Sequence, residues 1–364
     1  MPEMKAVVTY PKQKGKVEMI EVEQPAITAG EVLIRMRDVG VDGTDTEVIE
    51  AAHGGGAPEG DDYLILGHES LGQVAEVGDG VSGLKKDDWV VSTVRRPDGC
   101  PNCRRGEYDM CLWGDYTERG IKGAHGYLAE YVKEQPQFIV PIPEALRPVG
   151  ALVEPLSINE KALTQAWDIQ RRMHWKPRTA LVFGLGTIGI LAAMILRHRG
   201  LDTYIYSRES ARTKAVKMVR EIGINYVGAD DVPRAADVAR KIGRIDFMLE
   251  ATGAAEVAAE AMQIVQPNGV LCLLSVTGRA KRFPLDVAAI NQRLVLGNGV
   301  IFGSVNSSPV HFRRAVRDLQ SFDEKWPGFA ERLITRRVPF EIFDQALKQR
   351  PSDIKVLIQV STDA

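Results

Sequence analysis

The sequence lacks any long run of one charge sign, and its formal net charge is only −2 over 364 residues. Proteins that bind nucleic acid or a membrane surface usually concentrate basic residues in patches or tails. We therefore expect neither nucleic acid nor a membrane as a partner. The opening residues, MPEMKAVVTY, contain no apolar segment of the secretory kind, which predicts a cytoplasmic protein.

Cysteine is also scarce, with four residues in the chain. Cys100, Cys103 and Cys111 are close together, and in a reducing compartment such a cluster indicates a metal site more often than disulfides. Cys272 lies in the apolar run GVLCLLSV and is expected in the core. An obvious membrane span is lacking too. The uncharged stretch 179–196 is interrupted by spaced glycines, which favours a strand, a turn and a buried helix.

The length and the hydrophobic patterns predict two domains, because a single core seldom grows to this size. Residues 1–158 are mostly short apolar runs between turn residues, which indicates a β-rich domain, and 305–364 are too short to form a domain and are expected to return to it. In 159–304, strand and helix patterns alternate, which predicts an α/β domain with a doubly wound parallel sheet.

The predicted elements follow from the apolar spacing. The predicted strands are VLIRMR at 32–37, SLGQVAEVG at 70–78, WVVSTV at 89–94, YLAEYV at 127–132, TALVFG at 179–184, TYIYS at 203–207, INYV at 224–227, RIDFMLEAT at 244–252, GVLCLLSV at 269–276, LVLGNGVIFG at 294–303 and IKVLIQV at 354–360. The predicted helices are 155–170, 187–199, 209–222, 231–242, 255–265 and 308–320.

A glycine-rich turn follows one predicted strand and opens a helix. It fits the pattern G-x-G-x-x-G and consists of Gly184, Leu185, Gly186, Thr187, Ile188 and Gly189. In this context the glycines let the backbone approach a pyrophosphate, and the helix N-terminus favours its negative charge. The turn therefore predicts a nicotinamide dinucleotide site, with a glycine-rich packing turn as the alternative.

The end of the next predicted strand bears on the choice of dinucleotide. An NAD site usually carries an acid there, whereas this sequence has Ser207 and Arg208, with Arg212 one turn further on. Arginine suits a 2′-phosphate in charge and in forked geometry, so the sequence favours NADP. In the alternative, Arg208 is a solvated residue and Glu209 binds the ribose of NAD.

Three short motifs carry groups that can bind zinc. GVDGTD at 40–45 contains Asp42 and Thr44, GHE at 67–69 contains His68 and Glu69, and VEP at 153–155 contains Glu154. Imidazole nitrogen and carboxylate oxygen are both good zinc ligands. A lone histidine is more often only packed or exposed, so the combination carries the prediction.

The order of these motifs resembles the zinc-containing medium-chain dehydrogenase/reductase family across nearly the whole chain. Within it, VGVDGTD at 39–45, STVRRP at 92–97, ERGIKGAHGY at 118–127 and GSVNS at 303–307 resemble the archaeal-type glucose dehydrogenases. The resemblance implies a GroES-like catalytic domain beside a Rossmann domain, and a homodimer or homotetramer. It also implies zinc-assisted hydride transfer from C1 of glucose, or of galactose or xylose, to NADP or NAD.

The resemblance implies roles for the motif residues. Asp42 stands where most of the family has a zinc-binding cysteine, and His68 is expected as a second ligand of a catalytic zinc. Glu69 and Glu154 are expected as further or alternating ligands. Thr44 is expected to relay the hydroxyl proton, although it could equally be a turn residue that bonds its own backbone.

The cysteine lobe departs from the family pattern C-x2-C-x2-C-x7-C. Cys100, Cys103 and Cys111 match the last three positions, while the first falls on Pro97, which cannot bind metal. Asp98 could supply an oxygen, and thiolates bind zinc strongly, so a structural zinc with three cysteines and one aspartate is expected. The alternative is a metal-free loop.

The resemblance places Thr44, Glu118, Glu154 and Asn306 in the sugar pocket, where carboxylate and amide groups suit hydroxyls. Asn306 could instead cap a loop, and we assign no firm role to His53 or His125. Rival interpretations are an alcohol or polyol dehydrogenase of the same fold, a zinc-free reductase, and a non-catalytic cofactor-binding protein. The presence of the whole ligand set in the sequence speaks against the last two.

Overall fold

The computed structural model describes residues 2–52, 54, 56–277 and 282–361. The chain divides into two compact units. Unit 1 comprises Met1–Ser157 and Asn306–Ala364, and unit 2 comprises Ile158–Val305. The sequence divides the chain at 158/159 and 304/305, so both divisions assign the C-terminal segment to the N-terminal unit.

The elements are numbered in chain order. The strands are β1 (Glu3–Thr9), β2 (Val17–Glu23), β3 (Val32–Val41), β4 (Leu64–Ile65), β5 (Glu69–Val77), β6 (Trp89–Ser92), β7 (Arg95–Arg96), β8 (Thr117–Arg119), β9 (Gly123–Ala124), β10 (Tyr131–Glu134), β11 (Ile139–Pro141), β12 (Thr179–Phe183), β13 (Asp202–Ser207), β14 (Asn225–Gly228), β15 (Phe247–Glu250), β16 (Val270–Leu273), β17 (Val300–Gly303), β18 (Ile334–Pro339) and β19 (Lys355–Gln359). The α-helices are α1 (Gly43–Ile49), α2 (Val153–Gln170), α3 (Thr187–His198), α4 (Lys214–Glu221), α5 (Val238–Ile242), α6 (Ala255–Met262), α7 (Val287–Gly297), α8 (Pro309–Lys325) and α9 (Asp344–Leu347). Short 3-10 helices occupy Cys103–Arg105, Tyr108–Met110, Pro136–Phe138, Glu144–Leu152, Ala235–Asp237, Glu331–Leu333 and Phe340–Ile342.

Unit 1 is mostly β structure, as the sequence predicts. Its largest sheet runs β11-β6-β5-β3-β19-β18, and β10 also pairs with β3. In this sheet β19 pairs antiparallel with β3, so the C-terminal segment completes the N-terminal unit. Smaller sheets are β2-β1-β4 and β7-β8-β9. Most of the core consists of buried aliphatic side chains, such as Val8 of β1, Ile34 of β3 and Leu66 directly after β4.

Unit 2 has the Rossmann arrangement, as predicted. Its six strands run in the order β14-β13-β12-β15-β16-β17, and all neighbouring pairs are parallel. Strand order reverses beside β12, and in such sheets ligands bind outside the carboxyl ends of the strands at this switch point. The run 179–196 forms β12 and α3, with side chains such as Phe183 and Ile190 fully buried. Among the residues that the structure describes, no helix is long and apolar enough to cross a bilayer.

Several predicted elements are wrong in detail, and the strand predicted over 127–132 begins only at Tyr131. The run 294–303 was predicted as one strand, but Leu294–Gly297 end α7 and only Val300–Gly303 form β17. Asn298 ends the helix in the left-handed conformation, which asparagine adopts more readily than most residues. The helix predicted over 231–242 is reduced to a 3-10 turn and the short α5.

Candidate active site

The first group of candidate ligands lies where β3 and β5 meet. Asp42 follows the last residue of β3 and Glu69 begins β5, while Gly40 and Glu69 are antiparallel partners. A Cβ atom at Gly40 would collide with the Glu69 carboxylate, so glycine makes room for that side chain. Asp42, His68 and Glu69 each offer one ligand atom, and these atoms lie within 4.8 Å of one another.

His68 is held between two aspartates. Its Nε2 lies 3.7 Å from Asp42 Oδ2, and its Nδ1 lies 3.8 Å from Asp45 Oδ1. Both distances exceed a hydrogen bond, and the Nδ1 and Oδ1 atoms are buried without a hydrogen-bond partner among the described residues. Burial lowers the pKa of His68, but the charges of Asp42 and Asp45 outweigh it and raise the pKa well above its usual value.

A capping box at the start of α1 orders the two aspartates. Asp42 Oδ1 accepts hydrogen bonds from the Thr44 and Asp45 N–H groups at 2.7 and 3.3 Å, and the Asp42 N–H donates to Asp45 Oδ2 at 3.0 Å. The Thr44 hydroxyl donates to Asp42 Oδ2 at 3.2 Å. Thr44 therefore bonds the candidate ligand directly, with both its backbone and its side chain.

Lys355 is buried beside Glu69 and forms a short ion pair with its Oε2. The ammonium group also donates to Val41 O at 3.2 Å. Burial raises the pKa of Glu69 above its usual value, although the positive charge of Lys355 acts in the opposite direction. Burial lowers the pKa of Lys355, but the negative charges of Glu69 and Asp42 outweigh burial, so the pKa of Lys355 is raised. Lys355 thus neutralises the charge of one carboxylate, Glu69, in a region that also contains the carboxylates of Asp42 and Asp45.

Glu154 lies in the first turn of α2 and is buried. It stands outside the described group of atoms within 4.8 Å. Burial raises its pKa to about 8, and the negative charges of Glu69 and Asp42 contribute while His68 and Lys355 act in the opposite direction. Ser157 Oγ donates to the Glu154 carbonyl oxygen at 2.6 Å and fixes this turn.

This cluster fits a zinc ion. Zinc binds histidine nitrogen and carboxylate oxygen at about 2.0–2.2 Å, so two ligand atoms on one tetrahedral ion lie roughly 3.3–3.6 Å apart. The 3.7 Å between His68 Nε2 and Asp42 Oδ2 is near that value. A carboxylate behind the other ring nitrogen, here Asp45, is the usual companion of a metal-bound histidine.

The second group of candidate ligands surrounds Asp98. One atom each of Asp98, Cys100, Cys103 and Cys111 lies within 4.8 Å of the others, so the aspartate joins the three thiols in space. Asp98 accepts hydrogen bonds from Cys111 Sγ at 2.8 Å and from the Cys100 N–H at 3.0 Å. All three cysteines are free of disulfides.

Backbone N–H groups in the lobe donate to two of the three thiols. Cys100 Sγ accepts N–H groups of Cys103 and Leu112 at 3.4 and 3.3 Å, and Cys111 Sγ accepts that of Gly114 at 3.3 Å. Burial raises the pKa of Cys100, but these donors outweigh it and the pKa falls, whereas burial raises the pKa of Cys103 to about 12. A cation is what this donor set needs, because three thiolates and a carboxylate repel one another. The lobe therefore fits a structural zinc.

The predicted sugar-binding residues Glu118 and Asn306 lie together. The Asn306 side-chain amide donates to Glu118 Oε1 at 2.7 Å, and both side chains are buried. Asn306 has φ +60°, a left-handed conformation that asparagine tolerates, and its Oδ1 accepts the Ser307 N–H at 2.8 Å. Asn306 thus caps its own turn, as the alternative interpretation predicts, and it also bonds Glu118, while its sugar-binding role stays a prediction.

The dinucleotide loop has the expected geometry. Gly184 has φ +114°, which glycine adopts freely, and a Cβ atom at Gly189 would collide with Gly184 O. Nothing lies within 4 Å of the Cβ position at Gly186, which is the N-cap of α3 and offers no side chain to its N–H groups. The helix N-terminus therefore presents backbone N–H groups and open space to a pyrophosphate.

The candidate ribose residues follow β13. Ser207 ends the strand, is buried, and its hydroxyl lies 2.8 Å from the Tyr226 hydroxyl. Arg208, Glu209 and Arg212 are exposed. The two arginines are thus accessible to a phosphate group. Glu209, which would bind the ribose of NAD in the alternative interpretation, is accessible as well.

Three residues of these sites were missed by sequence reasoning: Asp45, Lys355 and Arg95, which bonds Glu118. Lys355 had a signal, because it is charged inside the apolar run IKVLIQV. His125 bonds Asp61 at 3.0 Å, accepts the Ile65 N–H and stacks on Tyr63, so its contacts support the fold. His53 lies outside the described residues.

Two family models match the chain. Residues 28–144 match the alcohol dehydrogenase GroES-like domain, and residues 147–360 match the glucose dehydrogenase C-terminus. Together the two matched segments reach from unit 1 through unit 2 and back into unit 1.

Similar proteins share this full length. Glucose 1-dehydrogenase from Methanocella arvoryzae is 44% identical over 359 residues, which cover 98% of this chain and 99% of the relative. The Thermoproteus tenax glucose 1-dehydrogenase is 39% identical, with 99% and 100% covered. Among solved structures, Haloferax mediterranei glucose dehydrogenase in complex with NADP, Zn and gluconolactone is 36% identical, with a TM-score of 0.90 and coverage of 99% of this chain and 100% of that one.

Proposed function

This chain belongs to the glucose dehydrogenase family of zinc-containing medium-chain dehydrogenases, and we propose that it is itself a glucose 1-dehydrogenase. In this proposal, a hydride passes from C1 of an aldose to NADP, or less readily to NAD, and the aldonolactone is released. Glucose is the first candidate substrate, and galactose and xylose follow because hydroxyl stereochemistry is harder to infer.

One observation carries the proposal. Unit 1 holds Asp42, His68 and Glu69 with their ligand atoms within 4.8 Å, and the same unit holds the buried Glu118–Asn306 pair. The first group suits zinc, and the second suits a ligand with several hydroxyls. A simple alcohol has little use for the second group, so this pair favours a sugar over an alcohol.

The bound groups would supply Lewis acidity at the sugar C1 oxygen and a hydride acceptor. The chain would hold zinc with Asp42 and His68, with Glu69 and Glu154 as further ligands, directly or through water. Asp45 orients the imidazole by facing its Nδ1. Thr44 would pass the C1 hydroxyl proton onward, and the support for this role is that its hydroxyl bonds the proposed ligand Asp42.

For the dinucleotide, we propose the 184–189 turn for the pyrophosphate and Ser207, Arg208 and Arg212 for the 2′-phosphate of NADP. The support is the uncapped α3 N-terminus and the exposed arginines after β13. Asp98, Cys100, Cys103 and Cys111 are proposed to hold the second, structural zinc.

We further propose a cytoplasmic homodimer or homotetramer. A reducing compartment keeps the lobe cysteines as thiols. β17 is an edge strand of its sheet, and α7 exposes Val287, Val295 and Leu296, which a second copy of the chain would cover. The variant Leu296→Lys should lower the mass measured by light scattering, while Ile342→Lys, at an exposed apolar position of unit 1, should not.

The test of the proposed activity is a set of initial-rate assays on zinc-loaded protein. Glucose is offered with NADP and with NAD, before and after chelation. We expect NADPH formation that is lost on chelation and restored by zinc. His68→Ala should lower kcat by more than about 100-fold, whereas His174→Ala, at an exposed histidine of unit 2, should leave it unchanged.

Two outcomes would count against the proposal. If the zinc-loaded protein turned over no aldose but oxidised a simple alcohol or polyol, the substrate class would be wrong. If NADPH bound with no turnover of any substrate, the chain would be a cofactor-binding protein. Arg208→Ala should raise KM for NADP about tenfold, a loss of about 1.4 kcal/mol, and leave KM for NAD unchanged. Arg240→Ala is the matched control at another exposed arginine of unit 2.

A further inference from the structure

Arg95 is a buried arginine to which neither the motifs nor the proposed function gives a role. It is the antiparallel partner of Glu118 in the pairing of β7 with β8. Both residues are almost fully buried, at 4% and 7% exposure. A buried arginine is costly unless it is paired and hydrogen-bonded, so its partners indicate what it is for.

The hydrogen bonds to Glu118 fall on one oxygen. Arg95 donates to Oε1 from Nε at 3.1 Å and from Nη2 at 2.9 Å, and Asn306 donates to the same atom at 2.7 Å. A carboxylate oxygen has two lone pairs, so three donors use its capacity fully. Among the residues that the structure describes, none donates to Oε2. Oε2 is therefore the acceptor that remains for a ligand.

The rest of the guanidinium group is fixed by the cysteine lobe. Nη1 donates to the carbonyl oxygen of Asp109 at 3.2 Å, in the 3-10 turn between Cys103 and Cys111. The guanidinium group lies over the Tyr116 ring, with Cζ 3.7 Å from the ring centroid. The Arg95 guanidinium group has little freedom to rotate, because it contacts the Glu118 carboxylate, the Asp109 carbonyl oxygen and the Tyr116 ring.

We infer that Arg95 is a positioning residue of the sugar site. Arg95 ties Glu118 to the cysteine lobe and presents Glu118 Oε2 to one sugar hydroxyl. The inference rests on the proposed function, because it takes Glu118 as a sugar-binding residue. A pocket built around a hydroxyl rejects an analogue without it, since the pocket's own acceptor is then left unpaired. Arg95 therefore sets a preference among sugars without touching them.

A purely structural role for Arg95 predicts something different. If the pair only held β7 to β8, weakening it would lower thermal stability and would affect all sugars alike. If Arg95 orients Glu118 Oε2, weakening the Arg95–Glu118 pair lowers kcat/KM most strongly for the sugars that carry the hydroxyl bound by Oε2. The pattern across sugars separates the two roles, which a loss of activity alone would not do.

The experiment measures kcat and KM on zinc-loaded protein for glucose and for its 2-, 3-, 4- and 6-deoxy analogues. Glu118→Gln identifies the hydroxyl that Glu118 binds. It is the hydroxyl whose removal from the sugar no longer changes kcat/KM in this variant. Arg95→Gln should raise KM for glucose about 100-fold with a smaller change in kcat, and reduce the preference over that analogue at least tenfold. Arg95→Lys keeps the charge and should restore part of the preference.

Arg96→Lys is the matched control, because Arg96 is a partly buried arginine of the same strand that bonds a different carboxylate, Glu134. Arg119 also bonds Glu134, so the control leaves that carboxylate paired. It should leave the preference among the deoxy sugars unchanged. Zinc content and melting temperature are measured for every variant, and Arg95→Lys carries the test if Arg95→Gln does not fold.

The outcomes separate the inference from the proposed function. Turnover of glucose by the unaltered protein, with the same preference in both Arg95 variants, would overturn the inference and leave the proposed function intact. Equal losses for all sugars would overturn it too. Absence of turnover with every aldose in the unaltered protein would overturn the proposed function and the inference together.

Discussion

Asp45 shows how a single carboxylate can serve both the fold and the site. One oxygen accepts the Asp42 N–H and closes the capping box of α1, while the other faces His68 Nδ1 at 3.8 Å. The first contact places Asp42 at the end of β3, and the second orients the imidazole. The same side chain therefore positions two proposed zinc ligands.

Replacing this aspartate by asparagine should separate the two tasks. Asparagine can still accept the Asp42 N–H, so the capping bond survives, but the negative charge behind His68 is lost. Such outer partners of metal ligands typically contribute 10–100-fold in affinity, so Asp45→Asn should weaken zinc binding by about that factor. Competition with a chromophoric chelator measures the change. Unchanged affinity would show that Asp45 acts only as a cap, and Asp344→Asn, at an exposed aspartate, is the control.

At this scale the motifs predicted the residues that could touch a ligand, and missed the residues behind them. Asp42, His68 and Glu69 come together as the resemblance implies, and Asp98 joins the three thiols. Arg95 meets Glu118 only through strand register, which the sequence does not reveal. Which residues bind zinc, sugar and cofactor stays a prediction.

At the scale of elements, Glu134 joins three strands of unit 1. It ends β10 and forms ion pairs with Arg96 of β7 and Arg119 of β8. Burial raises the pKa of Glu134, but the two positive charges outweigh it and hold the pKa below its usual value. Because the folded pKa is lowered, this carboxylate stabilises the fold above its unfolded pKa of about 4.3, and the contribution is lost as the pH falls through the folded value.

Glu134→Gln should therefore destabilise the protein in a pH-dependent way. At pH 7 the change leaves two partly buried arginines without their anion and should cost about 2 kcal/mol in the free energy of unfolding. Below the unfolded pKa of about 4.3 this contribution declines, and the two proteins should converge as the pH falls through the lowered folded pKa of Glu134. Denaturant unfolding in matched buffers measures the difference. A deficit that stays constant from pH 7 to pH 3.5 would contradict this account.

The cysteine lobe makes a second prediction at this scale. Cys103→Ala removes one of four proposed ligands, so zinc should fall from two ions per chain to one, and the melting temperature should fall with it. Cys272→Ala is the control, because that cysteine is buried in β16, away from the lobe residues in sequence, and should leave two ions. Elemental analysis of dialysed protein gives the count. Two ions per chain in Cys103→Ala would exclude the lobe as a metal site.

Helices and strands could be predicted where the apolar residues recur with a single spacing and a turn residue marks the end of the run. The alternation from 179 onward gave the parallel strands of unit 2, and spaced glycines marked the start of α3. α7 was missed because its apolar and polar residues follow no clear stripe, and much of the helix is exposed. The run after it then looked like one long strand, since short apolar runs do not distinguish a helix end from a strand.

At the scale of the whole molecule, the chain leaves unit 1 after Ser157, builds unit 2 and returns at Asn306. The return matters for the proposed chemistry, because it delivers Asn306 to Glu118 and Lys355 to Glu69. Composition and length predicted two domains, and the polar C-terminal tail predicted a return to the first. The contacts made by that return depend on tertiary packing, which no local pattern encodes.

The central claim is that this chain moves a hydride from C1 of glucose to NADP, and deuterium labelling tests it most directly. Zinc-loaded protein is given NADP with glucose that carries deuterium at C1, and in parallel with glucose labelled at C2. Proton NMR of the reduced cofactor should show deuterium at the nicotinamide ring from the C1 label and none from the C2 label, and chelation should abolish the transfer. Reduced cofactor without deuterium from C1 would contradict the account.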